Sequence, residues 1–179
     1  MARKGRPQPP MGTLRRLDAG ARAAFPALGT ALLLVLAAVP VGVPGLVAAL
    51  ALPPVFFWSV FRPAAMSPPV VFGLGLLQDL LSFAPLGVGI LTLLLVHGAA
   101  LRMRPWLVRQ GFPVVWLCFC AVAVGASAVG FVLTGLLDWH MPSRVPALLQ
   151  AGLAAGAYPA LGWTLGRIHM VMTRAEEGP

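Results

Sequence analysis

The stretch Gly75-Leu76-Leu77-Gln78-Asp79-Leu80-Leu81-Ser82-Phe83-Ala84-Pro85-Leu86-Gly87 sets an acid inside a long apolar run. An amide, Gln78, stands just before it, and Pro85 and Gly87 punctuate the chain a few residues later. An ionised carboxylate facing lipid costs roughly 2.5–3.5 kcal/mol at a helix centre on insertion scales. The chain has only five Asp and Glu, so an acid placed here has a specific reason. On a helical wheel with Gln78 at zero and ~100° per residue, Ser82 falls near 40°, Gly75 near 60° and Asp79 near 100°. The polar and small residues therefore share one stripe, and the leucines face elsewhere. A glycine one turn before Asp79 lets another backbone come close to the carboxylate. Three roles for Asp79 stay open at this level: folding a helix 3–helix 4 hairpin through hydrogen bonds, contact with a protein partner, or a small-molecule or ion site.

Composition sets the wider frame. Of 179 residues, 59% are hydrophobic and 10% charged, and the mean hydropathy is +0.87. A soluble domain of this size carries more charge on its surface. The expectation is an all-α polytopic membrane protein, a bundle of six transmembrane helices with short connections. The formal charge of +8 does not point to nucleic acid, because the basic residues sit at the ends and in loops, where they set orientation against anionic lipid.

Residues 1–24 hold six basic residues and Pro7, Pro9 and Pro10, the pattern of a disordered basic tail that is helical at most from Leu14 onward. The six-helix transmembrane domain is expected over residues 25–167, with helices at 25–39, 46–61, 69–82, 86–101, 112–136 and 146–166. A short tail follows over 168–179. Turn chemistry separates the helices: Pro40 to Gly45, Arg62-Pro63, Pro85-Leu86-Gly87, the basic stretch from Arg102 to Arg109, and Asp138 to Arg144. Pro53-Pro54 is expected to kink or break helix 2, and Pro159 to bend helix 6 and free a carbonyl. Trp58 sits near the end of helix 2, where an indole can lie at headgroup level. With six spans, twelve of the thirteen basic residues fall on one side and only Arg144 on the other. The expected topology is therefore multi-pass, with both termini cytoplasmic.

Catalytic sets are missing from the pattern. Gly125-Ala126-Ser127-Ala128 resembles the Gly-x-Ser-Gly of rhomboid proteases, but the closing glycine is Ala128, and His140 and His169 lie beyond the spans. His97 lies on helix 4, about 12 Å in depth from Asp79 at ~1.5 Å per residue, too far for a direct pair. It reads as a neutral hydrogen-bonding residue. Cys118 and Cys120 point away from each other on a helix and cannot share a metal. No enzyme activity, cofactor or metal is expected. Rows of small residues at four-residue spacing (Ala126, Gly130 and Thr134; Gly152 and Gly156; Gly162 and Gly166) allow close helix packing.

The central stretch resembles the signature of the rod shape-determining protein MreD family, in which Gly-Leu-Leu-Gln-Asp-Leu-Leu-Ser leads into Pro-Leu-Gly. Trp58 followed by Arg62-Pro63 is similar to that family's second-span ending, and Tyr158-Pro159 to its last span. Phe83-Ala84 departs from the family's usual Gly-Ser, and the proline-rich head from its shorter members. The family positions are then Gly75, Gln78, Asp79, Ser82, Pro85 and Gly87, with Trp58, Arg62, Pro63 and Pro159. The resemblance implies a non-catalytic inner-membrane subunit of the bacterial wall-elongation machinery, the elongasome. It would scaffold MreC, directly, with MreB and the lateral-wall peptidoglycan synthases, and so act in cell shape. It also implies the fold of the substrate-binding subunits of energy-coupling-factor transporters, and with it an alternative role in binding a vitamin-type small molecule.

Overall fold

A computed structural model of the chain describes residues 13–39, 45–82, 85–139 and 143–176. They form six helices: α1 (Thr13–Ala37), α2 (Leu46–Phe61), α3 (Pro68–Ser82), α4 (Val88–Leu107), α5 (Phe112–Leu137) and α6 (Val145–Glu176). The expected turns at residues 40–44, 83–84 and 140–142, and the head at 1–12, lie outside the described residues. Residues 13–24 belong to α1, and α6 runs on through most of the stretch expected as a tail.

The bundle is built around α2. Residues 51–60 are buried without interruption, as a helix that is apolar all round must be. Phe56 meets Phe119 of α5 and Tyr158 of α6 edge to face, with ring centroids 5.3 and 6.1 Å apart. Phe119 and Tyr158 stack at 4.2 Å, so three helices converge on one aromatic cluster. Pro53 and Pro54 do not break α2. Trp58 is 1% exposed and packs beside Phe57 and His169, not at an outer surface. The expected headgroup position for this indole is thus corrected: its face of α2 is covered by α6.

The six-span architecture is also corrected. Among the described residues only α4 and α5 are long and apolar enough to cross a membrane. At ~1.5 Å per residue the 16 residues of α2 and the 15 of α3 reach about 24 and 22 Å, short of a hydrocarbon core of about 30 Å. In α1 the apolar part is confined to Ala24–Ala37. Although α6 has 32 residues, Gln150, Pro159 and four glycines dilute its apolar character. The described residues form an all-α six-helix bundle with two membrane-length apolar helices, which is consistent with membrane association.

The bundle has two unlike ends. α2 starts and α3 finishes at the end where α4 and α6 begin. At the other end Arg104 Nε of α4 donates to the Val60 carbonyl of α2 at 2.8 Å. His169 of α6 lies against Trp58 and Phe61 there, and Arg167 covers the Trp163 ring at 5.1 Å. Arg62, Arg104 and Arg167 thus collect at one end, while Asp79 and a set of uncharged polar groups stand at the other.

Between α3 and α4 the packing is tightest. A Cβ added at Gly75 would stand 2.5 Å from Ile90 Cα, which is backbone and cannot yield. Gly73, two residues earlier, has open space at the same point. Gly75→Ala is therefore expected to destabilise the protein by about 1–3 kcal/mol. Gly73→Ala should be neutral or stabilise by up to about 1 kcal/mol through helix propensity. Thermal unfolding followed by tryptophan fluorescence in detergent separates the two, and equal effects would contradict the tight contact.

Candidate functional site

Asp79 is 2% exposed, and its carboxylate turns back across the hairpin to the start of α4. Gly87 N–H donates to Oδ2 at 2.8 Å, Gly89 N–H to Oδ1 at 2.6 Å and Ile90 N–H to Oδ2 at 3.4 Å. The first turn of any helix leaves backbone donors without intrahelical partners and carries the positive end of the helix dipole. Gly87, the residue capping α4, has no side chain to satisfy them and adopts φ +102°, a left-handed turn suited to glycine. Asp79 supplies the missing cap from the neighbouring helix. Gly89 makes room for it, because a Cβ there would land on Asp79 Oδ1 and within 2.7 Å of Gln78 Nε2. Of the three roles left open for Asp79, the geometry demonstrates the folding one.

The motif residues around it divide the work. Gly75 brings α3 and α4 together. Ser82 Oγ donates to the Gln78 carbonyl at 2.7 Å and closes the last turn of α3. Gln78, 5% exposed, points its Oε1 at no hydrogen-bond donor. Of the family positions, Gly87 contributes a donor to Asp79, whereas Trp58, Arg62, Pro63 and Pro159 lie away from this site. Arg62 approaches Met172 Sδ at 3.8 Å. Pro159 leaves the Ala155 carbonyl without a helical donor, and the Trp116 indole N–H of α5 takes it at 3.0 Å.

Beside the Asp79 cap lies a cavity of about 240 Å³ between the starts of α2, α4 and α6 and the ends of α3 and α5. Its wall includes Gln78, Ser82, Thr92, Ser127, Thr134 and Gln150, and Asp79 is its one ionisable residue among those described. Ser127 is 4% exposed, and its hydroxyl has no partner. Sequence reasoning weighed this serine only as a protease remnant and missed its place here, which depends on α5 folding across α3 and α4. Its neighbours at three- and seven-residue spacing offered a signal, since Gly130 and Thr134 line the same wall.

The histidine of α4 is elsewhere. Ser59 Oγ and His97 Nδ1 are 2.8 Å apart, and Ser59 also donates to the Val55 carbonyl at 2.6 Å. With its proton on Val55, the serine accepts from Nδ1–H and has no base to activate it. Both residues are buried. This pair fastens α2 to α4, in keeping with a hydrogen-bonding histidine away from Asp79.

No family model, curated protein or solved structure matches this chain. The wall-elongation scaffold and the vitamin-binding transporter subunit were implied by a resemblance of motifs taken together with a six-span bundle. The count of two spanning helices overturns that basis, and neither role is retained.

Removing the Asp79 cap leaves at least two strongly bonded amides without partners, each worth about 1–3 kcal/mol when buried. Asp79→Ala is expected to cost about 3 kcal/mol, and Asp79→Asn, which keeps one acceptor oxygen, roughly half of that. Ser127→Ala, which deletes a buried hydroxyl that bonds to nothing, should be neutral or stabilising. Chemical and thermal unfolding of the three variants gives the order, and a destabilised Ser127→Ala would show that its hydroxyl supports the fold.

Proposed function

We propose that this protein is a non-enzymatic membrane protein whose working part is the recess beside Asp79, where it receives a polar group. One observation carries the reading. Two polar atoms of residues that line the recess, Gln78 Oε1 and Ser127 Oγ, are buried without partners, while the carboxylate next to them is fully engaged. Buried polar atoms are nearly always bonded, so two unbonded ones at one cavity call for an explanation. The serine–histidine pair supports a role without catalysis, since it is sealed in the core and its hydroxyl is already spent.

The distribution of polarity supports the membrane setting. The interior holds Ser59, Gln78, Asp79, Thr92, His97 and Ser127, while Leu28, Leu32, Leu117, Val124, Leu136, Leu148 and Trp163 face outward. Such an inside-out pattern suits hydrocarbon outside and hydrogen bonds within. In this reading α4 and α5 cross the cytoplasmic membrane as an antiparallel pair with the other helices packed about them. Arg102, Arg104 and Arg109 mark the cytoplasmic side. Because α1 finishes and α6 starts at the recess end, the start of α1 and the end of α6 lie with these arginines. The recess faces the opposite side.

Single cysteines in a Cys118→Ala, Cys120→Ala background test this. Ser143→Cys, at the recess, should react with a membrane-impermeant maleimide in intact cells, and Val108→Cys only after permeabilisation. Ser127→Cys should be modified by a small methanethiosulfonate from the Ser143 side. Labelling of Val108→Cys in intact cells would reverse the orientation, and an inert Ser127→Cys would close the recess.

A further inference from the structure

Three of the five hydroxyls that line the recess have a common orientation of protons. Thr92 Oγ1 donates to the Val88 carbonyl at 2.8 Å, Thr134 Oγ1 to the Gly130 carbonyl at 2.9 Å, and Ser82 Oγ to the Gln78 carbonyl at 2.7 Å. Each hydroxyl has one proton and two lone pairs. With the proton committed to its own helix, each can offer the recess only lone pairs. Gln78 adds Oε1, an acceptor that nothing fills. The wall is therefore rich in acceptors, and Ser127 and Ser143 are the hydroxyls on it whose protons are not committed to their own helix, Ser127 the buried one.

Charge narrows the class further. Among the described residues no Lys, Arg or His lines the recess, so an anion would meet Asp79 with no counter-charge. The donors that an anionic oxygen would find are neutral ones, the Gln78 and Gln150 amides and the Ser127 and Ser143 hydroxyls, and none answers its charge. A cation meets a different obstacle: Asp79 already takes three backbone donors at the positive end of α4, so its charge is largely answered. Burying a second charge costs several kcal/mol unless a partner is free to pair with it. What remains is an uncharged group bearing several O–H donors. The space, equal to about eight waters at ~30 Å³ each, has room for a three- or four-carbon polyol with water beside it.

We infer that the recess binds an uncharged, hydroxyl-rich group, held by Gln78 and Ser127 and by the lone pairs of Thr92 and Thr134. The group reaches it either as the head of a membrane lipid or as a free polyol. This rests on the reading of the recess as the working site, and the test separates the two.

The full-length protein is purified in an amine-oxide detergent, which has no sugar head, and thermal unfolding is titrated with matched probes. These are 1-O-octylglycerol, erythritol, octylammonium and octanoate. Saturable stabilisation by octylglycerol or erythritol is expected, with at least tenfold weaker apparent binding in Gln78→Leu and in Ser127→Met. Thr134→Val, a milder change on a half-buried residue, should weaken binding several-fold if the larger substitutions do not fold. Octylglycerol alone identifies a lipid source, and erythritol alone a free one. Stabilisation by octylammonium or octanoate that Ser127→Met abolishes would overturn the polyol class and keep the recess as a binding site. If no probe acts on the wild type differently from Ser127→Met, both the class and the site fall.

Discussion

One carboxylate holds the hairpin at the middle of this chain. Asp79 satisfies backbone amides that the start of α4 cannot satisfy for itself, and it does so from another helix. In water such amides would bond to solvent at little cost. In an apolar setting they have nowhere to turn, and an acid in the adjacent helix is a fitting answer. The two problems, a charge without a cation and a helix start without a cap, cancel each other. The rest of the local structure follows. Gly75 must be small so that the helices approach, and Gly89 must be small so that the carboxylate fits.

That solution leaves a residue of unmet polarity. Gln78 stands next to Asp79 in sequence and is carried into the same interior, yet the amides of α4 are already taken. Ser127 arrives from α5 in the same condition. A protein selected for stability alone would place apolar side chains at both points, because buried polar groups without partners cost free energy. Their retention beside a cavity is the physical ground for treating that end of the bundle as the place where something is received.

Much of the fold could be read from residue order, and the limits are instructive. Helix positions followed from turn residues: Gly45 and Arg62 bracket α2, and Gly111 and Asp138 bracket α5. Asp79 stood out because acids are rare here. Its partners did not, since backbone amides carry no residue identity, although the Pro85-Leu86-Gly87 turn marked a helix start. The count of spans failed for a different reason. Mean hydropathy is high along the chain, and it cannot tell a short helix buried by its neighbours, such as α2, from one that meets lipid. Trp58 misled in the same way. Its distance along α2 was right for an outer surface, and α6 lay over it.

Pro159 and Trp116 have a mechanical consequence. The indole N–H that fills the gap in the α6 ladder comes from near the beginning of α5, far from the recess. This cross-link pins the axial register of the two helices at a single point, next to the stacked rings of Phe119 and Tyr158. The two helices then resemble arms hinged at a pivot, which falls near the start of α5 and about a third of the way along α6. Any separation between them pivots about Trp116, and a small rotation there is magnified along the remaining turns of α5. The widest excursion falls at Thr134 and the first turn of α6, where the arms meet the cavity wall.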